Sequence, residues 1–389
     1  MSQSASSNIK EVQLKKTLQL AVVLMIAACL GIGGFTSGAL ASSANLFVTT
    51  SGSDTNACTF AAPCATIGHA VSVAGPQSRI TVGPGTYAEM VEITTPITLI
   101  GLNATIDASG LDNGVVIHGQ AASGASVSGF TIEGATFEGI HVESTSHITI
   151  QNNVVQNNDQ GASSPTPTGL CAPSGPVPGD CGEAIQLLAV SHSRVVGNTV
   201  QNNVGGILLT DDAGPTFDNL IQRNTILNNL EDCGITLPSH NPAASTSPSL
   251  GGVYNNKVIN NDSEGNGGAG IGVFAAPPGA AAYNNTIVNN TAKGNGEGGI
   301  NIHSHAPNQN VSGNVITNNV IASNGQDPDS GSPGTNGISI FTAVSAQTEN
   351  IVANRISDED IGIFVSGSFT LKGLQSNHFD SSVTTPIQQ

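Results

Sequence analysis

Three stretches of this 389-residue sequence carry side chains able to do acid–base or metal chemistry: Asp211-Asp212, His240, and His303-Ser304-His305. A carboxylate pair with a histidine neighbour suits glycosidic hydrolysis, with Asp211 or Asp212 as acid or base and Asp232 as the second carboxylate. A histidine base could instead take a proton from the carbon beside a uronate, the first step of elimination or epimerisation. The alternate spacing of His303 and His305 puts both rings on one face of a strand, where they could join His240 and Asp212 around a metal ion. An isolated His-x-His is a weak signal, so no metal ligand is assigned, and Ca²⁺ is the one cofactor left open. The catalytic candidates are therefore Asp211, Asp212, Asp232, His240, His303 and His305. Glu143, Glu183, Glu297 and Phe274 are the candidates for substrate contact.

Composition narrows the partners. Ten Lys and Arg face 27 Asp and Glu, only 10% of residues are charged, and the pI is about 4.6. Such a surface offers no basic field to a nucleic acid. Lys10, Lys15 and Lys16 precede an apolar stretch from Leu18 to Leu30 and then Ala39-Leu40-Ala41, which reads as a signal peptide over residues 1–41. Ile26-Ala27-Ala28-Cys29 also resembles a lipobox, whose lipidated Cys29 would tether the chain as a surface lipoprotein. The expectation is a secreted, monomeric protein of residues 42–389, with 7 basic and 26 acidic residues and a net charge of −19. In an oxidising compartment, Cys58 with Cys64 and Cys171 with Cys181 read as local disulfides. Cys233 reads as a buried small hydrophobe.

The candidates gain positions from a repeat. Gly139-Ile140-His141-Val142 recurs as Gly or Ala, Ile, any residue, aliphatic, starting at Ala184, Gly206, Gly234, Gly270, Gly299, Gly337 and Gly362. Between the copies run Asn-rich segments such as Asn153–Asn158, Asn198–Asn203, Asn224–Asn229 and Asn256–Asn261. Each unit holds at least two short alternating strands with Gly or Asn turns and no helical period. Repeated strands without helices can be parallel only if the chain coils, so identical Asn residues would stack in ladders. The pattern resembles the right-handed parallel β-helix of the pectate-lyase-like superfamily over essentially all of residues 42–389. By that resemblance the fold is an all-β, single-stranded solenoid of about ten coils, and the segment from Ile67 to Ala74 is a short helix capping its N-terminal end.

Alignment of the tetrads places Asp212 and His240 on adjacent coils and His305 two coils beyond, on the outer face of one sheet. An acidic row (Glu138, Glu183, Asp232, Glu297, Asp360) precedes the same strands and reads as solvated turn carboxylates. Insertions at 159–182 and 238–252 flank the Asp211-Asp212 coil, and Gln326–Thr335, which holds Asp327 and Asp329, reads as an ordinary acidic loop, with Ca²⁺ binding as the alternative. Fold resemblance implies a carbohydrate-active protein cleaving an extracellular polysaccharide, as hydrolase or lyase, in a groove over the tetrad sheet. The alternative is a noncatalytic glycan-binding or structural solenoid. Of the Asn-Thr-Asp, Asp-Asp, Gly-His-Gly and Arg-Ile-Lys motifs of polygalacturonase-like enzymes, only the Asp-Asp has a counterpart. The arginines on which pectate-lyase-like elimination depends are also scarce.

Overall fold

The computed structural model describes residues 43–158, 183–342 and 347–389. The segment read as a signal peptide, Cys29, and the expected Cys171–Cys181 pairing lie outside them. The rest is a parallel β-helix. All eight tetrads fall in one eleven-stranded parallel sheet running from Val91–Ile93 to Thr385–Gln388. Their isoleucines are direct partners from coil to coil: Ile140, Ile185, Ile207, Ile235, Ile271, Ile300, Ile338 and Ile363. Every one is fully buried. Each such side chain contributes about 1.5–3 kcal/mol on leaving water, so the column is one of the apolar supports of the fold, beside the equally buried columns of the other faces.

A 21-stranded sheet supplies the other two faces, continuous through the long strands Thr98–Asp107 and Ser126–Glu133. Beyond them its coils split into two stacks of short strands. Their corners explain the Asn-rich segments. The first residue of each corner takes a left-handed conformation with φ near +55°, as in Asn152, Asn157, Asn202, Asn228, Asn260 and Asn289. Asparagine tolerates this region better than most residues. The next residue points inward and stacks. Asn153, Asn198, Asn224, Asn261, Asn290, Asn319, Asn354 and Asn377 form one such ladder, amide to amide. A second runs through Asn158, Asn203, Asn229, Asn266, Asn295 and Asn324 and ends on Glu359. A third joins Asn219, Asn256, Asn285 and Asn314.

The pairing corrects one reading of the repeat. Asn224 stacks on Asn261, not on Asn256, because Asn256 belongs to the third ladder. Segments that look equivalent in sequence occupy different corners.

The N-terminal end is closed by helix α1 (Ile67–Val73), which buries Ile67 and Ala70. Thr66 caps it, its hydroxyl accepting the His69 N–H at 3.2 Å, and the Glu89 carboxylate accepts the N–H groups of Ile67 and Gly68. Cys58 and Cys64 are joined by a disulfide. Among the described residues no helix is long and apolar enough to cross a membrane.

The outer face of the tetrad sheet is not an open groove. His141, Gln186, Leu208, Thr236, Asn301, Ser339 and Phe364 alternate with the core column yet are all buried. Loops and ring side chains lie across them: Phe274 folds over Gly272, and the Gln326–Thr335 loop reaches Ser339 and His303 through Asp327.

Candidate functional site

The residues singled out by sequence separate into three groups along the solenoid. On the N-terminal coils, the His141 Nε2 lies 3.5 Å from the half-exposed Glu143 carboxylate, and its Nδ1 lies 2.7 Å from Gln186 Oε1. Burial of His141 is outweighed by its bond to Glu143, by the charges of Glu138 and Glu143 and by the bond to Gln186, so the imidazole sits above its ordinary pKa. The bond to His141 holds Glu143 below its ordinary value. Glu183, expected at the surface, is buried, as is Glu138. The acidic row is thus partly interior, since its first members start strands covered on both sides.

The second group sits where the strand Gly205–Thr210 leaves the sheet. Asp212 Oδ2 is 3.2 Å from His240 Nδ1, and Thr210 Oγ1 bonds Asp212 while lying 3.1 Å from the same ring nitrogen. Burial of Asp212 is outweighed by the bond and charge of His240 and by Thr210, which keep its carboxyl below the usual range. Asp211 points the other way. It is fully buried and accepts from Ser239 Oγ at 2.8 Å, the His240 N–H at 2.6 Å, the Gly252 N–H at 2.5 Å and the Asn241 N–H at 3.3 Å. Burial raises its pKa against those bonds. Asp211 therefore splints two coils and presents no carboxylate to a ligand, a correction that follows from the side-to-side alternation of adjacent residues.

The third group gathers around His303. Its Nε2 lies 2.6 Å from Asp327 Oδ2, with both side chains buried. The His305 ring stands edge-on to it at 5.4 Å, and the donors of His303, His305 and Asp329 lie within 4.8 Å of one another. Phe274 and Phe341, register partners of His303 on either side, wall the cluster. Burial and the charges of Asp327 and Asp329 push Glu297 up to about 7. Burial of Asp327 is outweighed by the His303 bond, and burial with the charge of His303 lowers His305. Asp232, half-buried, accepts the Cys233 N–H at 2.6 Å, and its charge reaches Glu297. Cys233 is buried and unbridged, its thiol pushed well up by burial and by these charges.

The grouping expected from sequence is thus redistributed. His303 and His305 recruit the acids of the 326–335 loop instead of His240 and Asp212. The intervening coil offers only Phe274 and Ala276 at the corresponding positions, and two coils span about 10 Å. Gln326–Thr335 is consequently not an ordinary acidic loop, because Asp327 is fully buried.

One feature escaped sequence reading. His147, His192, Phe217, Tyr254 and Tyr283 line up on five successive coils with ring centroids 5.1 to 5.4 Å apart, face on face except where the His192 ring meets Phe217 edge-on. Phe217, Tyr254 and Tyr283 sit in a three-stranded sheet of their own, one turn beyond Asp212 and His240. All five rings are exposed or half-exposed. A signal existed: each of those three rings precedes a third-ladder Asn by two residues.

Residues 80–274, half of the chain, match the family described as periplasmic copper-binding protein (NosD). The chain belongs to the NosD family. Within this NosD-family chain, residues 231–350 also match the right-handed β-helix region, which sets the hand of the coil. Its fold resembles that of pectate lyase Pel9A, with a TM-score of 0.55, 18% identity, 90% of this chain and 82% of that chain covered. Alginate lyase from Paenibacillus sp. str. FPU-7 aligns with a TM-score of 0.54 at 14% identity, over 84% of this chain and 99% of that one. At such identities the likeness is one of fold. No curated protein matches the sequence.

Proposed function

We propose that this is an exported or periplasmic β-helix protein that binds an extracellular polysaccharide along the aromatic stripe, with Asp212 and His240 transferring a proton on the bound chain. The observation that carries the reading is the stripe itself. Five rings in a row, spanning about 20 Å at the coil rise, cover one another's faces in two stacked runs and turn their edges outward, which makes a continuous half-exposed apolar ridge against which the C–H groups of successive sugar units can lie. The Asn241–Gly252 loop stands at its border, the Tyr254 hydroxyl donating to Pro248 O at 3.5 Å. Binding moves from the covered tetrad sheet to the flank beside it, while the acid–base pair stays at the corner between them.

The test is a screen of the exported protein on neutral and uronic-acid polysaccharides, with and without Ca²⁺. It follows retardation in affinity gels, reducing ends and unsaturated products. Tyr254→Ala with Phe217→Ala should abolish retardation, and Asp212→Asn or His240→Ala should abolish turnover with retardation intact. Retardation without any product would favour the noncatalytic solenoid, and no retardation by any glycan would overturn the proposal.

A second reading, copper binding, follows the family description. It is favoured by the two imidazoles and one carboxylate that converge at His303, His305 and Asp329, a donor set suited to Cu²⁺ and unsuited to Ca²⁺. The thiols of Cys58 and Cys64, which converge with His69, are closed in a disulfide and offer no thiolate.

A further inference from the structure

We propose that His303, His305 and Asp329 form one binding site for a divalent first-row transition metal, that His303 binds through Nδ1, and that Asp327 fixes this ring from behind. The proposal deepens the copper-binding reading and rests on it for the choice of metal.

The first observation is convergence: three side chains of suitable type bring one donor atom each to within 4.8 Å of the others. The second is independent of it. His303 is 2% exposed, its Nε2 is committed to Asp327 at 2.6 Å, and its Nδ1 is buried without a hydrogen-bond partner. A neutral imidazole that donates from Nε2 to a carboxylate must carry its lone pair on Nδ1. Leaving such an acceptor dry and unpaired is unfavourable, whereas a metal ion satisfies it. Carboxylate, imidazole and open lone pair in line are the arrangement by which a protein orients a histidine ligand and raises its basicity.

The surroundings suit a cation. Asp327, Asp329 and Glu297 place negative charge on the cluster, and no lysine or arginine ion-pairs with any of them among the described residues. Phe274 and Phe341 line the imidazoles with apolar surface, which limits competing water. The two acids have separate duties. Asp327, buried against His303 and Ser339, is the positioning residue, while Asp329, exposed on the same loop, is the one placed to ligate. The loop thus acts as a clasp whose outer acid closes the coordination sphere.

The experiment is a titration of the metal-stripped, tag-free exported protein with Cu²⁺ against a competing chelator, read by calorimetry and by electron paramagnetic resonance. One equivalent should bind with hyperfine structure from two imidazole nitrogens, Zn²⁺ should compete, and Ca²⁺ should not. His305→Ala and Asp329→Asn, both at exposed positions, should each weaken binding at least tenfold. Asp327→Asn should weaken it about 10- to 100-fold with the two-nitrogen signature retained. Absence of Cu²⁺ binding would overturn the copper reading as a whole. Binding unaffected by His305→Ala and Asp329→Asn would overturn this site and leave copper elsewhere. Binding through both imidazoles but unchanged in Asp327→Asn would overturn the positioning role alone. Because His303→Gln alters a buried residue, its affinity counts only if its thermal unfolding is that of the parent.

Discussion

On the ladder side of the solenoid most inward polar positions repeat. Asn290, for example, accepts the backbone N–H and the side-chain N–H of Asn261, and donates to Val258 O and to Asn319 Oδ1. Both lone pairs and both protons are used, so the residue is chemically silent. On the outer face of the tetrad sheet the matching position changes at every coil: Glu143, Leu188, Thr210, Pro238, Phe274, His303 and Phe341. There polar groups meet unlike neighbours, and acids and imidazoles are left to pair with loops. In a stacked fold, repetition marks support and variation marks chemistry.

The largest test of that contrast is Asn290→Leu. It unpairs groups on the coils before and after it in a buried interior and should lower stability by about 4 kcal/mol in denaturant titration, without changing glycan or copper binding. A loss below about 1 kcal/mol would mean the ladders are passengers. Next, Asp211→Ala should cost about 3 kcal/mol by removing four hydrogen bonds from a buried junction, while Asp212→Asn one residue later should cost less than about 0.5 kcal/mol. Equal costs would erase the distinction between splint and working group.

A smaller effect is expected where the second ladder ends. Glu359 Oε1 accepts from the backbone and side-chain N–H groups of Asn324 at 2.9 and 3.0 Å, and burial pushes its pKa up to about 7. A carboxyl raised above its unfolded value of 4.5 holds a proton in the folded chain that the unfolded chain has released. Its contribution therefore favours folding in acid and is lost as the pH rises from about 4.5 to about 7. Glu359→Gln should flatten that part of the stability profile and raise the melting temperature at pH 8, whereas an unchanged profile would place the titration elsewhere. The smallest effect belongs to Tyr254→Ala on the stripe, which should shift unfolding by less than about 1 kcal/mol while weakening retardation by polysaccharide.

What sequence conveyed follows the same division. The tetrads, α1, the Cys58–Cys64 bridge and the approach of Asp212 to His240 were legible because each is fixed by local spacing or by equal offset in a periodic coil. The direction of Asp211 was not, because it depends on where the strand ends and the loop begins. The descent of Asp327 onto His303 was not either, since an insertion has no period. The offset between Asn224 and Asn256 was hidden because three corners of one coil use the same residue. The aromatic stripe was hidden for the opposite reason, as His, Phe and Tyr fill one position.

The ladders also bear on how the molecule ages. Asn266, Asn295 and Asn324 are each followed by glycine, the neighbour that most readily lets an asparagine cyclise to succinimide and deamidate. That reaction needs the side-chain carbonyl free to turn and the next backbone nitrogen free to attack it. Here the side chains are locked in the stack, and the nitrogens of Gly267, Gly296 and Gly325 are bonded to the carbonyls of Asn229, Asn266 and Asn295. Deamidation at these three positions would record each time a coil had come undone, and the resulting acid could no longer donate to the next rung.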